Sequence, residues 1–354
     1  MTTCIEIAGR RIGPGQPCYL IAEMSANHNQ DFETAVRIVE AAKDAGADAI
    51  KLQTYTADTL TIDCQTEHFC LGKGTLWEGK NLHALYTEAY TPWEWQPKLK
   101  GIADKLGLHC FSTPFDSSAV DFLEQMNAPA HKIASFELVD LRLIHKVAQT
   151  GKPVIMSTGM ATFEEIEEAV RAFHEAGGRQ LALLKCNSGY PAPAEEMNLR
   201  TIPHLAESFR LPVGLSDHTL GISAAVAAVA LGACIIEKHL TLTRDVAGPD
   251  SAFSLEPNEF KNLAEAVREA EQALGSVNYQ VTEKEKASRV FRRSLFAVQD
   301  IRAGERLTED NVRSIRPGDG LAPRHFEAVL SAVAKRSISR GTPLSWDLLT
   351  GIPE

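Results

Sequence analysis

A repeated alternation between two kinds of segment constrains the fold of this chain more than any other feature. Short apolar runs typical of buried strands are followed by stretches whose apolar residues recur at helical spacing, and the pair occurs eight times before residue 276. Strands are predicted at residues 19–23, 48–53, 108–115, 130–135, 153–159, 181–188, 212–218 and 234–239. Helices are predicted at residues 31–46, 93–107, 117–127, 141–151, 163–177, 198–209, 222–232 and 256–275.

Eight strand–helix units predict an α/β fold in which a parallel sheet closes into a (β/α)8 or TIM barrel, for which roughly 250 residues are typical. The competing arrangement is a doubly wound open sheet, which usually has a glycine-rich turn after its first strand. Here that turn reads MSANHN and contains no glycine. The longer segment after the second strand, which includes GKGTLWEGKN, is interpreted as a polar loop.

The character of the sequence changes after residue 275. Residues 276–291 are charged and weakly patterned, which is typical of a linker. In residues 292–354, the stretches RSLFAVQDIRAGERL and KRSISRGTPLSWDLL share a pattern of apolar residues and a turn glycine, which predicts a small β-rich domain. We therefore expect a barrel domain at 1–275, a linker at 276–291 and the small domain at 292–354. A domain this small buries little core, so we expect it to dock on another surface.

The composition argues against several classes of partner. A formal net charge of −10 disfavours a general nucleic-acid-binding surface, although a local basic pocket for a small anion is compatible with it. The start of the chain lacks the apolar core of a signal peptide and no stretch is long enough to span a membrane, so no membrane association is expected. Seven cysteines without a C-x-x-C pair suit a reduced protein, and we expect a cytoplasmic location.

Polar side chains end nearly every predicted strand. In a parallel barrel, functional side chains project from these carboxyl ends. Three lysines at corresponding positions, together with several hydroxyls, predict a pocket for a phosphate or a carboxylate. A single lysine at such a position is more often a rim side chain that reaches into solvent. The strand-end residues are Glu23, Lys51, Gln53, Ser112, Thr113, Lys132, Ser135, Ser157, Thr158, Lys185, Ser188, Tyr190, Ser216, Asp217, His218, Glu237, Lys238 and His239.

Two histidines, His218 in VGLSDHTLG and His239 in CIIEKHLTL, each close a strand-like apolar run. They are one β–α–β step apart, so neighbouring parallel strands would place them side by side. Neutral imidazole suits Mn, Fe, Zn or Co, and two protein ligands leave coordination positions for substrate and water. The alternative is a pair of structural histidines. His28 in SANHN is a third candidate, either as a ligand or as a loop histidine that orients the first turn.

Four further residues suggest catalytic or substrate-contacting roles. Glu23 and Glu237 are candidates for general acid–base catalysis or for the surroundings of a metal, and either can instead pair with a lysine or hold a sugar hydroxyl. Tyr190 and Asp250 follow strands and are placed to contact a polar substrate, although the PAP and AGPD stretches near them are also ordinary loop sequences.

Several long motifs resemble those of one enzyme family. IAEMSANHNQD, DAIKLQTY, FSTPFD, HKIAS, STGMAT, GLSDHTLG, EKH and GPDSAFS occur in the order that is typical of the sialic acid synthase family. Within that family the chain is most similar to the pseudaminic branch, through AEMSANHN, TLWEGK, YTEAYTPWEWQ and KCNSGYPAPAEEMNLRTIPHLAE. The similarity covers the barrel from about residue 15 to 275, and residues from about 292 to 350 resemble an antifreeze-protein-like (SAF) domain.

The resemblance implies an enzyme that condenses phosphoenolpyruvate with a 2-acetamido sugar, releases phosphate and forms a nine-carbon α-keto acid. It implies a divalent metal, usually Mn²⁺, on His218 and His239. It also implies a domain-swapped homodimer in which Arg316 of IRPGDG reaches the barrel of the partner subunit. Glu23 matches the essential glutamate, and Glu237 would support the metal surroundings. Positions matched to phosphoenolpyruvate contacts are Lys51, Thr113, Lys132, Ser135, Ser157 and Ser216, and positions matched to sugar contacts are Gln53, Tyr190 and Asp250.

One position bears on the identity of the sugar. The N-acetylneuraminate synthases have an asparagine two residues before the tyrosine that corresponds to Tyr190, whereas this chain has Ser188, as the pseudaminic branch does. A smaller side chain suits a sugar that has lost hydroxyls and gained a second acetamido group, so the expected substrate is 2,4-diacetamido-2,4,6-trideoxy-L-altrose. N-acetylneuraminate or legionaminate synthesis is the alternative within the family. A different phosphoenolpyruvate-condensing barrel or a non-catalytic sugar-binding protein is the alternative outside it.

Overall fold

The computed structural model describes residues 4–72 and 78–351. The chain divides into two compact units, Met1–Gly275 and Ser276–Glu354, and each has a hydrophobic core of its own. Residues 73–77 belong to the GKGTLWEGKN stretch, and the last three of them begin the TLWEGK motif. These residues lie outside the described part of the chain, as do residues 1–3 and 352–354.

The first unit begins with an antiparallel hairpin of β1 (Ile5–Ile7) and β2 (Arg10–Ile12). Its three isoleucines are buried in one cluster with the first residues of several barrel strands, so the hairpin covers the amino end of the barrel. The sequence pattern did not reveal this hairpin, because a strand of three residues is too short to show a period.

Eight parallel strands then close into a barrel, which confirms the predicted fold class. The closure comes from the last strand, which pairs with the first barrel strand as well as with the strand before it. The barrel strands are β3 (Tyr19–Glu23), β4 (Ala49–Thr54), β5 (His109–Pro114), β6 (His131–Ile133), β7 (Val154–Ser157), β8 (Leu181–Cys186), β9 (Val213–Asp217) and β10 (Ile235–His239).

Helices cover the outside of the barrel and bury their apolar faces against it. Some begin at side chains that accept hydrogen bonds from free backbone amides: Asp31 accepts from the amides of Glu33 and Thr34, and Thr162 forms a capping box with Glu165. None of the described helices is both long and apolar enough to cross a membrane. The helices of this unit are α1 (Phe32–Asp44), α2 (Ala57–Leu60), α3 (Leu82–Ala89), α4 (Gln96–Leu106), α5 (Ser117–Gln125), α6 (Leu141–Ala148), α7 (Phe163–Glu175), α8 (Thr201–Phe209), α9 (Ser223–Ala230) and α10 (Pro257–Leu274).

Strand alternation decides which strand-end residues can meet, because every second side chain points into the barrel. On β3, Ile21 belongs to the interior cluster and Glu23 follows it on the same side. On β4, Ala49 belongs to the same cluster, and Lys51 follows it on the same side of the strand. The register pairs Glu23 with Lys51 on one neighbouring strand and with His239 on the other. Three adjacent strands therefore place these side chains together at the carboxyl end.

The segment between β4 and α4 is not the polar loop that the sequence pattern predicts, because it contains both α2 and α3. Asn81 begins α3, and its side chain accepts hydrogen bonds from the amides of His83 and Ala84. Leu82, Leu85 and Ala89 recur at helical spacing, but the polar residues between them dilute the pattern. This segment matters for the site because it forms one side of the cavity described below.

The second unit contains two small antiparallel sheets, in agreement with the predicted β-rich domain. Within residues 276–291, α11 (Glu283–Ser288) is a short helix that begins at a capping box on Thr282. The core includes buried side chains from both sheets and the turns between them. The remaining elements are β11 (Ser294–Ala297), β12 (Val312–Ile315), α12 (Phe326–Leu330), β13 (Val333–Ala334) and β14 (Leu349–Thr350).

Candidate active site

Four charged side chains meet inside the carboxyl end of the barrel, and none of them is more than 5% exposed. Lys51 Nζ lies 2.5 Å from Glu23 Oε2 and 3.6 Å from Glu237 Oε1. Lys132 Nζ lies 3.6 Å from the same oxygen of Glu237. These two ammonium and two carboxyl groups form one connected arrangement, called the charge cluster below. Each charge has an opposite charge beside it, as burial requires.

Hydroxyl groups contact both lysines of the charge cluster. Lys51 Nζ donates a hydrogen bond to Thr113 Oγ1 at 3.3 Å. Lys132 Nζ donates to Ser157 Oγ at 2.6 Å. Ammonium groups and hydroxyls thus lie together on neighbouring strands, which is the arrangement that binds phosphate and carboxylate oxygens.

Ser216 and Ser135 complete the hydroxyl set in different ways. Ser216 Oγ donates to Glu237 Oε1 at 3.2 Å. Ser135 Oγ accepts a hydrogen bond from the backbone amide of Gly159 at 3.0 Å. A Cβ atom at Gly159 would lie 2.7 Å from Ser135 Oγ and 2.3 Å from Ser188 Oγ, so a glycine is required where these two serines approach the loop.

The two carboxyl groups of the charge cluster differ in their affinity for a proton. Burial raises the pKa of Glu23 to about 7, and Lys51 offsets this only in part. Burial acts in the same direction on Glu237, but Lys132 and Lys51 hold the pKa of Glu237 below its ordinary value. Two acids whose pKa values are displaced in opposite directions suit different roles, one as a proton carrier and one as a permanent anion.

Only two of the strand-end lysines reach the charge cluster, so the expected convergence of three is wrong. Lys185 is two residues after Leu183 on the same strand, so it points to the same side, toward the helices. Its Nζ donates to the carbonyl of Cys186 at 2.8 Å. Lys238 also faces outward, where its Nζ donates to Asp217 Oδ2 at 2.7 Å in a buried ion pair. A shift of one residue along a strand moves a side chain to the other face.

The rings of His218 and His239 lie beside each other with their centroids 5.3 Å apart. Nδ1 of His218 forms a hydrogen bond with the carbonyl oxygen of Asn187 at 2.9 Å, which leaves Nε2 as the nitrogen for a ligand bond. Nδ1 of His239 is buried without a hydrogen-bond partner. Burial and the neighbouring His218 hold the pKa of His239 well below its ordinary value, so its imidazole is neutral.

A metal ion fits these two histidines, because neutral imidazole is a metal ligand and the buried nitrogen of His239 has no other partner. Among residues 4–72 and 78–351, no three histidine, cysteine or carboxylate side chains are grouped as a complete metal site. An ion held here would therefore have two protein ligands, with its other positions open to substrate and water.

His28 is not arranged as a third ligand. It is fully buried, its Nε2 forms a hydrogen bond with Thr91 Oγ1 at 3.1 Å, and its Nδ1 accepts from the amide of Gln30 at 3.1 Å. Its ring packs edge-on against Trp95. Both nitrogens are used within the loop, so His28 orients the first turn, which was the other interpretation of the sequence.

A cavity of about 590 Å³ opens beside the charge cluster, a size typical of small-molecule sites. Gln53 connects the two, because its Nε2 donates to Glu23 Oε1 at 3.1 Å. The ring centroid of Tyr190 is 4.5 Å from that of His218, and Asp250 accepts a hydrogen bond from Ser25. The predicted site residues that line the cavity are Gln53, Ser188, Tyr190, His239 and Asp250.

Glu137 also lines the cavity, although no sequence motif singled it out. It ends a single helical turn, Ser135–Glu137, directly after β6. Its Oε2 is buried without a hydrogen-bond partner, and burial raises the pKa of Glu137 to about 7. Periodicity does not reveal Glu137, because a single helical turn is too short, and its sequence signal is limited to its position two residues after the predicted phosphoenolpyruvate contact Ser135.

Arg316 belongs to the second unit, where it follows β12 and is exposed. Its contact with the barrel of a partner subunit stays a prediction.

Comparison with known proteins identifies the family. A model described as the NeuB family matches residues 38–279, and a model described as the SAF domain matches residues 292–350. A pseudaminic acid synthase of Helicobacter pylori is 44% identical over 333 residues, which are 94% of this chain and 98% of that protein. An N,N'-diacetyllegionaminic acid synthase of Legionella pneumophila is 36% identical over 340 residues, which are 95% of each chain.

A solved structure gives the same result. The crystal structure of an N-acetylneuraminic acid synthetase from Leptospira borgpetersenii, in complex with citrate, superposes with a TM-score of 0.72 at 31% identity and covers 81% of this chain and 95% of that one. Because the family model spans most of the barrel and the relatives match nearly the whole chain, this protein belongs to the NeuB family.

Proposed function

We propose that this protein synthesises pseudaminic acid by condensing phosphoenolpyruvate with 2,4-diacetamido-2,4,6-trideoxy-L-altrose, with release of phosphate. The observation that carries the proposal is the charge cluster with its hydroxyls, placed beside two histidines at the edge of a sugar-sized cavity. The identity of 44% to the pseudaminic acid synthase of Helicobacter pylori supports the choice of sugar.

Phosphoenolpyruvate is assigned to the two buried lysines. Lys51 and Lys132 supply positive charge to its phosphate and carboxylate, and Thr113 and Ser157 already contact these ammonium groups. Ser135 and Ser216 lie on the neighbouring turns and strands and are assigned to the same anion. These contacts accelerate the reaction only to the extent that they hold the transition state better than the ground state.

The proposed metal is Mn²⁺, held by His218 and His239. When bound there, the ion polarises the aldehyde carbonyl of the open-chain sugar as a Lewis acid. The chain itself supplies the two imidazoles and the cavity, which holds the sugar beside them through Gln53, Tyr190 and Asp250.

The bond changes define what the acidic residues must do. C3 of phosphoenolpyruvate bonds to the aldehyde carbon, and the aldehyde oxygen takes up a proton. Water adds at C2 and gives up a proton, and the resulting hemiketal phosphate loses phosphate by cleavage of its C–O bond. Glu23, with its pKa raised to about 7, is suited to accept and return these protons. Glu237 stays ionised and holds the two lysines in place.

The active assembly is proposed to be a cytoplasmic, domain-swapped homodimer. Val139, Met160, Leu220 and Val246 lie on loops at the carboxyl end of the barrel, and each is more than half exposed. Apolar side chains gathered around one end of a domain are typical of a surface that another protein covers. Arg316 of the partner subunit is proposed to complete the sugar site. All seven cysteines are free, as a reducing compartment requires.

The substrate is tested by phosphate release from the Mn²⁺-loaded protein with phosphoenolpyruvate and one sugar at a time. Release is expected with the altrose-configured diacetamido sugar. A preference for N-acetylmannosamine or for the mannose-configured diacetamido sugar would instead indicate N-acetylneuraminate or legionaminate synthesis. With ¹⁸O at the bridging position of phosphoenolpyruvate, C–O cleavage places the label in phosphate. No release with any sugar would favour a non-catalytic sugar-binding protein.

The metal assignment is tested by metal content. His239→Ala and His218→Ala should each lower the Mn²⁺ retained after dialysis to background, because a single remaining imidazole is a poor site. His204→Ala is the matched control, since His204 is exposed on an outer helix and should leave the Mn²⁺ content unchanged. Unchanged metal content in His239→Ala would contradict the assignment. Elemental analysis gives this result without an activity assay.

Glu23 is tested by a pH profile. Its pKa is raised, and the proton-accepting form is the carboxylate, so kcat/KM should rise with pH through about 7. Glu23→Gln should lower kcat by about 100-fold or more, the usual contribution of a positioned acid or base, and should remove this limb of the profile. Full turnover with an unchanged profile would remove Glu23 from the chemistry.

The exchange of Arg316 between subunits is tested by mixing two inactive variants. Glu23→Gln and Arg316→Ala homodimers should each have little activity. Random reassembly of the two should restore about a quarter of the sites, because half of the dimers are then mixed and each has one complete site. A mixture that stays as inactive as its components would show that Arg316 does not act across the dimer.

A further inference from the structure

The cavity beside the charge cluster has two chemically different sides. One side, called the polar floor, carries Ser25, Gln53, His239 and Asp250. Ser25 hydrogen-bonds to Asp250, and Gln53 hydrogen-bonds to Ser25 and Glu23. The other side, called the apolar wall, is formed by Leu60, Leu71, Leu82, Leu85, Tyr86 and Phe115. None of the residues of the apolar wall has a role in the proposed reaction.

Most of the apolar wall comes from the segment between β4 and α4, and the barrel strands contribute none of it. On α3, Leu82, Leu85, Tyr86 and Ala89 line the cavity at positions i, i+3, i+4 and i+7, which is one face of a helix. An apolar helix face would ordinarily be buried against the protein, whereas this one borders a cavity.

Aromatic contacts fix the apolar wall against the barrel. The buried ring of Tyr55, which follows β4, lies 5.7 Å from the ring centroid of Tyr86 and 5.0 Å from that of Phe115. Both pairs are edge-to-face, a favourable geometry for aromatic rings. These contacts hold Tyr86 and Phe115 in place, so the aromatic part of the apolar wall is a preformed surface.

The proposed substrate has a polar end and an apolar end, which match the two sides of the cavity. Its aldehyde carbon must lie near the polar floor, where the charge cluster and the histidines are. The C6 methyl group is at the opposite end of the carbon chain and has no hydrogen-bonding capacity. A hydroxyl at C6 would lose its water against an apolar surface and gain no partner there, which is unfavourable.

We infer that the apolar wall selects sugars that lack a C6 hydroxyl, by packing Leu60 and Leu82 against the C6 methyl group. This inference rests on the proposed function and deepens it. The apolar wall distinguishes sugars by the absence of the C6 hydroxyl and not by the configuration of the ring carbons. The inference therefore applies to any 2,4-diacetamido-2,4,6-trideoxy sugar.

The experiment compares kcat/KM for the 6-deoxy sugar with kcat/KM for its 6-hydroxy counterpart of the same configuration. The unaltered protein should prefer the 6-deoxy sugar by about 10-fold or more, the usual worth of one group in an apolar pocket. Leu60→Asn and Leu82→Asn should each reduce that preference by about 10-fold, because the amide provides a partner for the hydroxyl and leaves the methyl group poorly packed. Leu82→Met, which stays apolar, should retain the preference.

Leu274→Asn is the matched control. Leu274 is 53% exposed at the end of the outer helix α10, and the same substitution there should leave the preference unchanged. Two separate wall variants are used so that one remains informative if the other does not fold, which circular dichroism shows. An unchanged preference in a folded Asn variant would overturn the inference.

Failure of the proposed function can be told apart from failure of this inference. If the unaltered protein prefers the mannose-configured diacetamido sugar, the proposed substrate is wrong, and the role of the apolar wall is tested with that sugar and its 6-hydroxy counterpart. If no sugar supports phosphate release, dissociation constants from calorimetry replace kcat/KM in the same comparison. Equal affinity for the two members of each pair would then reject the apolar wall as a selector.

Discussion

The candidate active site depends on two lysines and two glutamates that are buried together inside one end of a barrel. An isolated buried charge is costly, and removal of one partner from a buried pair typically destabilises a protein by about 3–5 kcal/mol. Lys51 lies between Glu23 and Glu237, and Lys132 contacts Glu237, so no member of the cluster lacks an opposite charge. An incoming anion competes with these carboxylates for the lysines.

A second buried ion pair lies on the outer faces of β9 and β10. Lys238 Nζ donates to Asp217 Oδ2 at 2.7 Å and to the carbonyl of Thr219 at 2.6 Å, in the layer beneath the helices. Asp217 directly precedes His218, and Lys238 directly precedes His239. The pair therefore ties the ends of β9 and β10 together at the point where the two histidines turn inward. The proposed metal site has only two protein ligands and needs such support, because the ligands alone do little to fix the strands.

The sequence was sufficient to predict the barrel, because each of its eight strands is an apolar run and most of them are followed by a helix with clear periodicity. It was also sufficient to predict that Lys51, Lys132 and Glu23 lie at the carboxyl end of the barrel. The sequence was insufficient where a shift of one residue along a strand, or an element too short to show periodicity, decides where a side chain lies. Lys185 ends a strand like the other lysines but has the outward parity, which depends on the register of the closed barrel. Glu137 lies in one helical turn, and a single turn has no periodicity to read.

The segment from Leu60 to Leu85 shows why the remaining part could not be predicted. A strand in a barrel is buried on both faces and must be apolar along its length, so its sequence is distinctive. A short helix over the mouth of the barrel touches solvent on one side and a cavity on the other, so its few leucines stand among polar residues. The barrel strands supply the groups that are proposed to bind phosphoenolpyruvate and the aldehyde carbon, and these groups are needed whichever sugar reacts. The inferred selection against a C6 hydroxyl comes from residues at the far end of the cavity, most of which lie on the segment between β4 and α4. Such a segment can change its side chains without disturbing the register of the strands, which is how one barrel can support related reactions on different sugars.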